Sequence, residues 1–61
     1  MSNNFIPTND SNYEVTVAYS DRSLYFEYFK DADHFARLNA GTITDLRTYE
    51  VIRTYVEDYD N

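Results

Sequence analysis

The sequence predicts a small α+β fold, in which a three-stranded antiparallel sheet carries one short helix in the order β-β-α-β. Two stretches alternate like strands on either side of a polar turn, the hydrophobic period then becomes helical, and the C-terminal part is again rich in Tyr, Val, Ile and Thr. We expect a single domain at residues 13–57, between a flexible N-terminal tail (1–12) and a short acidic end (58–61).

The first two strands are expected to form an antiparallel hairpin. Residues 13–19 alternate, which places Val15 and Val17 on one face and Glu14 and Thr16 on the other. The polar run Ser-Asp-Arg-Ser that follows has the composition and the length of a hairpin loop. The next strand therefore returns beside the first.

The second strand, Leu24–Lys30, is the most aromatic part of the chain. As an extended strand it would direct Leu24, Phe26 and Tyr28 to one face and Tyr25 and Phe29 to the other, so that both faces are apolar. One short helix covers only one of these faces. We therefore expect a second copy of the chain to cover the other face, which makes the protein a homodimer.

A short helix is expected next, with Asp31 or Asp33 as its N-cap and Gly41 as the stop just past Ala40. Its apolar positions are Ala32, Phe35, Ala36 and Leu38. The two carboxylates suit the positive end of the helix dipole. A helix of two to three turns is marginal in water, so it must pack on the hairpin.

The C-terminal segment fits two patterns. As a helix it would gather Leu46, Tyr49, Arg53 and Val56 on one side. As a strand over residues 47–57 it carries apolar side chains on both faces, and its content of β-branched and aromatic residues favours this alternative.

Length and charge limit the function. The chain has 61 residues, no cysteine and a single histidine, so disulfides and zinc sites built from cysteine or histidine are excluded. A core of this size rarely supplies more than about 3–5 kcal/mol, which again favours a dimer. The net charge of −6 repels nucleic acid and anionic membranes and favours a basic partner. No signal-like or membrane-spanning run is evident, so we expect the protein in the cytoplasm where it is made.

Catalysis and metal binding find little support. His34 has no serine or cysteine nucleophile in a recognisable motif, and we interpret it as a solvated or capping side chain. Asp31, Asp33 and Asp45 lack the alternating acidic loop of a calcium site, and the single glycine excludes a phosphate-binding loop. We expect no enzyme activity, no metal and no cofactor.

Phe35 and Leu38 have two interpretations. They either pack the helix onto the sheet or, in a dimer, line an apolar pocket ringed by acids that takes a protruding hydrophobic side chain from a basic partner. Aromatic anchors carry most of the energy of such an interface, whereas rim charges set its encounter rate. The second interpretation suits a competitor of a DNA-binding protein.

Several of these residues carry a family resemblance. The run Tyr13-Glu14-Val15-Thr16, the later run Tyr25-Phe26-Glu27-Tyr28-Phe29-Lys30, and a Phe in the short helix that follows resemble the small dimeric uracil-DNA glycosylase inhibitors of Bacillus phages. The resemblance extends over about Tyr13 to Val56. In the C-terminal strand the resemblance is limited to a general β-rich character.

The resemblance implies a β-β-α-β dimer that mimics DNA and inhibits the host uracil-DNA glycosylase by capturing the apolar side chain that the enzyme inserts into the duplex. Phe35 matches the helix phenylalanine of the family and Glu27 matches its central-strand glutamate, whereas Ala36 replaces a glutamate and Asn39 a tyrosine. The resemblance also implies that the protein acts in the host cytoplasm and does not bind nucleic acid directly.

From the pattern and the resemblance together, we predict two sets of residues. The partner-binding set is Phe35, Leu38, Asp31, Asp33, Glu27, Tyr28 and Asn39. The dimer-interface set is Leu24, Phe26, Tyr49 and Val51. The alternative function, in another class, is an acidic dimeric adaptor or transcription modulator that binds a different basic host protein.

Overall fold

The structure is a computed structural model that describes residues 5–18 and 20–56. Its elements are β1 (Tyr13–Val17), β2 (Ser23–Phe26), α1 (Phe29–Asn39), β3 (Gly41–Asp45) and β4 (Glu50–Thr54). The α+β class, with an antiparallel sheet and one helix, is confirmed. The predictions for Tyr19, for residues 1–4 of the tail and for the acidic end concern residues outside those described.

The sheet has four strands in the order β2-β1-β3-β4, and every pair is antiparallel. The predicted hairpin of β1 and β2 is confirmed, with Tyr13 opposite Phe26 and Val15 opposite Leu24. The prediction of three strands was wrong, because β3 lies between β1 and β4 and puts Ile43 opposite Val15. The element order is therefore β-β-α-β-β.

The strand β3 was missed because Gly41 was interpreted only as a helix stop. Ala40 adopts the left-handed conformation (φ 53°, ψ 50°) as the C-cap of α1, so the chain reverses at this one residue and Gly41 already belongs to β3. The segment Gly41–Asp45 contains one large apolar residue, Ile43, and the periodicity of such a short run is weak.

The boundary between β2 and α1 also differs from the prediction. The strand ends at Phe26 instead of Lys30, and the helix begins at Phe29, with Tyr28 as an N-cap that makes no side-chain capping bond. The prediction of Asp31 or Asp33 as the cap was wrong. The ring of Phe29 packs edge-on against Tyr13, with centroids 5.6 Å apart, and this contact favours an earlier helix start. Asp31 lies in the first turn, where its charge still suits the helix dipole.

The core is small and lies where α1 crosses β1 and β3. Its fully buried residues are Val15, Ala32, Ala36 and Ile43, and half-buried Tyr13, Phe26, Phe35 and Tyr55 pack around them. Both helix residues of this core are alanines, so α1 lies close to the sheet. Gly41 is buried at the same point, because a Cβ atom there would lie 2.7 Å from Val15 Cγ1.

The C-terminal strand β4 is shorter than the predicted segment 47–57. The chain turns through residues 46–49, ending at Tyr49, whose φ of 61° is left-handed. The pairing register of β3 and β4 changes partway along the strands. Ile43 lies opposite Arg53, whereas Thr44 lies opposite Val51. Ile52 is therefore the extra residue of a β-bulge. All five residues of β4 are exposed.

The described part of the N-terminal tail contacts the sheet. A turn over Thr8 and Ser11 is closed by the bond from Ser11 N–H to Thr8 O (3.1 Å). Asn12 donates its N–H to Phe26 O (2.9 Å) and accepts the N–H of Leu46 (2.9 Å). Within residues 5–18 and 20–56, no helix has both the length and the apolar character needed to cross a bilayer.

We predict that Gly41→Ala lowers the free energy of unfolding by about 1–3 kcal/mol, because the added methyl group would overlap the buried Val15 side chain and approach Ala36 Cα at 3.2 Å. Urea denaturation followed by circular dichroism measures the change. An unchanged midpoint would show that the helix does not approach the sheet this closely.

We predict that Ala40→Gly raises the free energy of unfolding by about 1 kcal/mol, because glycine adopts the left-handed C-cap conformation without the Cβ penalty. The same denaturation experiment applies. Leu38→Gly, inside the helix, is the control and should lower stability by about 1 kcal/mol.

Candidate partner-binding site

The helix has two flanks with different chemistry on either side of its alanine face. Asp31, Phe35 and Leu38 are spaced i, i+4 and i+7 and share one flank, which we call the Phe35 flank. Asp33 and Arg37, spaced i and i+4, share the other, which we call the Asp33 flank. Phe35 packs towards β2, and Asp33 contacts Arg53 and Tyr55 at the β4 side.

The Phe35 flank presents apolar surface beside the sheet edge. The ring of Phe35 is half-buried against Phe26 of β2, with centroids 5.7 Å apart and a 40° tilt. Leu38 is 69% exposed, which is a large apolar exposure for a helix residue next to a core. Asn39 ends this flank by donating its side-chain amide to Phe35 O at 2.9 Å. Phe35 therefore packs the helix against β2, whereas its interpretation as the lining of a dimer pocket stays a prediction.

Carboxylates without ion pairs border this strip. Glu27 and Tyr28 are exposed in the connection from β2 to α1, with Tyr28 at 58%, and Asp31 is exposed in the first helical turn. Within the described residues, neither Glu27 nor Asp31 makes an ion pair. An exposed carboxylate without an internal counter-charge retains its charge for a basic partner.

The Asp33 flank is neutralised internally. The Asp33 carboxylate accepts the Tyr55 hydroxyl at 2.5 Å and pairs with Arg37 at 3.2 Å and with Arg53 at 3.4 Å. The Tyr55 hydrogen bond and, after it, the charge of Arg53 hold the pKa of Asp33 below its ordinary value. Asp33 therefore ties α1 to the C-terminal strand, and the structure does not bring it together with Phe35, Leu38 and Asp31.

The distribution of basic residues strengthens this difference. Of the five lysines and arginines, Arg37 and Arg53 bind Asp33, and Arg47 binds Asp45 at 3.3 Å. Three basic side chains are thus held by two acids. The net negative charge falls on the remaining carboxylates, which include those bordering the Phe35 flank.

The predicted dimer residues do not form one patch. Leu24 and Phe26 belong to β2 and are half-buried, whereas Tyr49 and Val51 are 78% and 61% exposed at β4. The two strands are the opposite edges of the sheet, about 14 Å apart at a spacing of about 4.8 Å between neighbours. One chain thus offers two separate edges.

Sequence reasoning missed a hollow on the face opposite the helix. Here a cavity of about 460 Å³ is lined by Pro7, Thr8, Ser11, Glu14, Tyr25, Leu46 and Tyr49. Tyr25, one of these lining residues, donates its hydroxyl to Glu14 at 3.4 Å. Burial, followed by the Glu14 charge, raises the pKa of this tyrosine. The alternation of residues along the hairpin predicts that Glu14 and Tyr25 share this face of the sheet. The cavity itself was not predictable, because part of its wall is formed by residues 7–11.

Metal ligands are not brought together in residues 5–18 and 20–56, where no group of three His, Asp or Glu side chains is arranged to hold an ion. His34 is exposed on the helix. Comparison with known protein families, with characterised proteins and with solved structures gives no match to this chain. The candidate site therefore depends on geometry and charge alone.

We predict that acid destabilises the protein through Asp33. Since its pKa is lowered in the fold, its contribution is present above the ordinary carboxyl value of 3.8 and is lost as pH falls through and below that value. Asp33→Asn should lower the urea midpoint at pH 7 and reduce the difference between pH 7 and pH 3. Asp31→Asn is the matched control and should retain that difference. A full pH difference in Asp33→Asn would contradict the assignment.

Proposed function

We propose that the protein inhibits a uracil-DNA glycosylase by occupying its DNA-binding cleft as a homodimeric DNA mimic in the host cytoplasm. The observation that carries this proposal is the Phe35 flank, an apolar strip bordered by the carboxylates of Glu27 and Asp31, which make no ion pair within the described residues. The family resemblance of the aromatic run at residues 25–30 and of Phe35 supports it.

The chemistry of base flipping explains why such a strip would compete with DNA. Enzymes that excise bases extrude the target nucleotide and bind the phosphates on either side with basic and backbone groups. A folded protein that offers carboxylates in place of phosphates, and apolar surface for an inserted side chain, occupies both sites at once. DNA must be unstacked to be bound, at a cost of a few kcal/mol, whereas the inhibitor avoids that cost.

The two kinds of residue have different tasks in this proposal. Phe35 and Leu38 bury apolar surface against the enzyme's inserted side chain and supply most of the affinity. Glu27 and Asp31, together with the net charge of −6, steer the encounter with a basic cleft and fix the orientation. Tyr28, the 58% exposed N-cap of the helix, adds aromatic surface at the start of α1.

The same surface would also fit a different basic partner. An acidic dimeric adaptor or transcription modulator also needs an apolar anchor bordered by acidic residues. Such a protein is the alternative function, and it belongs to a different functional class from an enzyme inhibitor. Titration into a uracil-excision assay separates the two proposals. Inhibition near stoichiometric amounts supports the inhibitor, and no effect at large excess supports the adaptor.

We predict that Leu38→Lys weakens inhibition about 30-fold or more, which corresponds to about 2 kcal/mol, because it places a charge on the exposed anchor. Phe35→Ala should weaken it by a few kcal/mol. Thr16→Lys adds the same charge to the opposite face of the sheet and should leave inhibition unchanged. The measurement is the inhibitor concentration that halves uracil release.

Circular dichroism must show that each variant folds, since the Phe35 ring also contacts Phe26. If the parent chain inhibits and a folded Phe35→Ala and Leu38→Lys inhibit equally well, the Phe35 flank is not the contact surface.

A further inference from the structure

Arg53 is bound by a carboxylate and a tyrosine that are themselves joined by a hydrogen bond. The Tyr55 hydroxyl donates to the Asp33 carboxylate. Arg53 Nη1 lies 3.4 Å from Asp33 Oδ1 and 3.1 Å from the Tyr55 hydroxyl, and its Cζ lies 5.9 Å from the centroid of the Tyr55 ring. A planar guanidinium suits such a site, because it offers a fork of N–H donors and also stacks on aromatic rings.

Arg47 is held by a second carboxylate and a second tyrosine. Its Nε lies 3.3 Å from Asp45 Oδ1 and its Nη2 lies 3.4 Å from Asp45 Oδ2, so the contact is bidentate. The Cζ atom of Arg47 lies 5.9 Å from the centroid of the Tyr13 ring. In two separate places, therefore, a carboxylate beside a tyrosine ring in this fold binds a guanidinium.

A third pair of carboxylate and tyrosine lies on the face of the sheet opposite the helix. Glu14 of β1 and Tyr25 of β2 are directly opposite one another, and the Tyr25 hydroxyl donates to the Glu14 carboxylate at 3.4 Å. Both residues line the cavity of about 460 Å³, together with Tyr49. Glu14 is half-buried and makes no ion pair within the described residues. Its charge is therefore available to a cation in the cavity.

The arginines of the chain itself lie elsewhere. Arg47 is next to the cavity-lining Leu46 in the sequence, but its guanidinium is bound to Asp45. Arg22 lies over the ring of Phe5, with its Cζ 5.8 Å from the centroid, and lines a different cavity. Among the described residues that line the Glu14 cavity there is no lysine or arginine.

We propose that this cavity binds an arginine side chain of a partner protein. The guanidinium lies against the Glu14 carboxylate and stacks on the ring of Tyr49, which is 78% exposed and therefore accessible. The apolar walls formed by Pro7 and Leu46 contact the methylene stem of the arginine. The net charge of −6 attracts a basic protein segment to the cavity.

The site is separate from the surface that carries the proposed function. Phe35 and Leu38 belong to the helix, whereas the Glu14 cavity lies on the other face of the sheet. A basic partner can therefore bind at the cavity while the Phe35 flank is occupied. The inference goes beyond glycosylase inhibition, and its test requires no glycosylase.

Titration of the ¹⁵N-labelled full chain with the blocked tripeptide acetyl-Gly-Arg-Gly-amide, followed by nuclear magnetic resonance, tests the proposal. We expect saturable changes in the amide signals of Glu14, Tyr25 and Tyr49. The matching lysine tripeptide should bind about tenfold more weakly or worse, because an ammonium lacks the planar fork that fits a carboxylate and an aromatic ring.

Two variants and a matched control locate the binding. Glu14→Gln removes the charge but keeps an acceptor for the Tyr25 hydroxyl, and it should weaken binding of the arginine tripeptide about tenfold. Tyr49→Asn removes the ring and suits the left-handed backbone (φ 61°), and it should weaken binding about threefold. Glu27→Gln removes the same charge from an exposed carboxylate outside the cavity and should leave binding unchanged.

Three results would overturn the proposal. Equal binding of the lysine tripeptide would show an attraction that follows net charge alone. Unchanged binding in folded Glu14→Gln and Tyr49→Asn would place the arginine elsewhere. Tighter binding of free arginine than of the tripeptide would assign the cavity to a small molecule. If the tripeptide binds as expected but the parent chain does not inhibit the glycosylase, the proposed function fails and the arginine site stands.

Discussion

The close approach of α1 to the sheet is the constraint on which the rest of the structure depends. Ala32 and Ala36 lie directly on Val15 and Ile43, and Gly41 leaves no Cβ at the point of closest contact. With small residues at its centre, the helix has no room beneath it for large side chains. Phe35 and Leu38 therefore lie at its margin, where Phe35 is half-buried and Leu38 remains exposed.

The two flanks that result from this packing differ in charge as well as in shape. On one side, Asp33 accepts a hydrogen bond from Tyr55 and forms ion pairs with Arg37 and Arg53. These contacts neutralise its charge and join the helix to the last strand. On the other side, Asp31 and Glu27 border apolar surface and have no counter-charge within the described residues. One flank stabilises the fold, and the other suits recognition of a basic, apolar-tipped partner.

Part of this arrangement was predictable from the sequence. The alternation of residues 13–17 and the polar turn after them predicted the hairpin, and the change to a helical period predicted one short helix after it. β3 was not predictable from Ile43 alone, because a five-residue strand with one large apolar side chain has almost no periodic signal. Aspartate favours the N-cap position, but the helix begins earlier because Phe29 packs against Tyr13, a contact that the local sequence does not reveal.

Long-range contacts explain the remaining differences. Asp33 and Tyr55 are 22 residues apart, and only the position of β4 beside β3 brings them together. A bulge at Ile52 likewise leaves no mark in composition, yet it decides that Glu50 and Arg53 share a face. Such features follow from how strands pair and not from local propensity.

Nuclear magnetic resonance of the ¹⁵N-labelled chain, titrated with unlabelled uracil-DNA glycosylase, tests the central claim most directly. We expect the largest changes in amide signals at Glu27, Tyr28, Asp31, Phe35 and Leu38, and we expect a DNA duplex containing uracil to reverse them. Changes confined to the face that carries Glu14 and Tyr25, or no change with an active enzyme at saturating concentration, would contradict it.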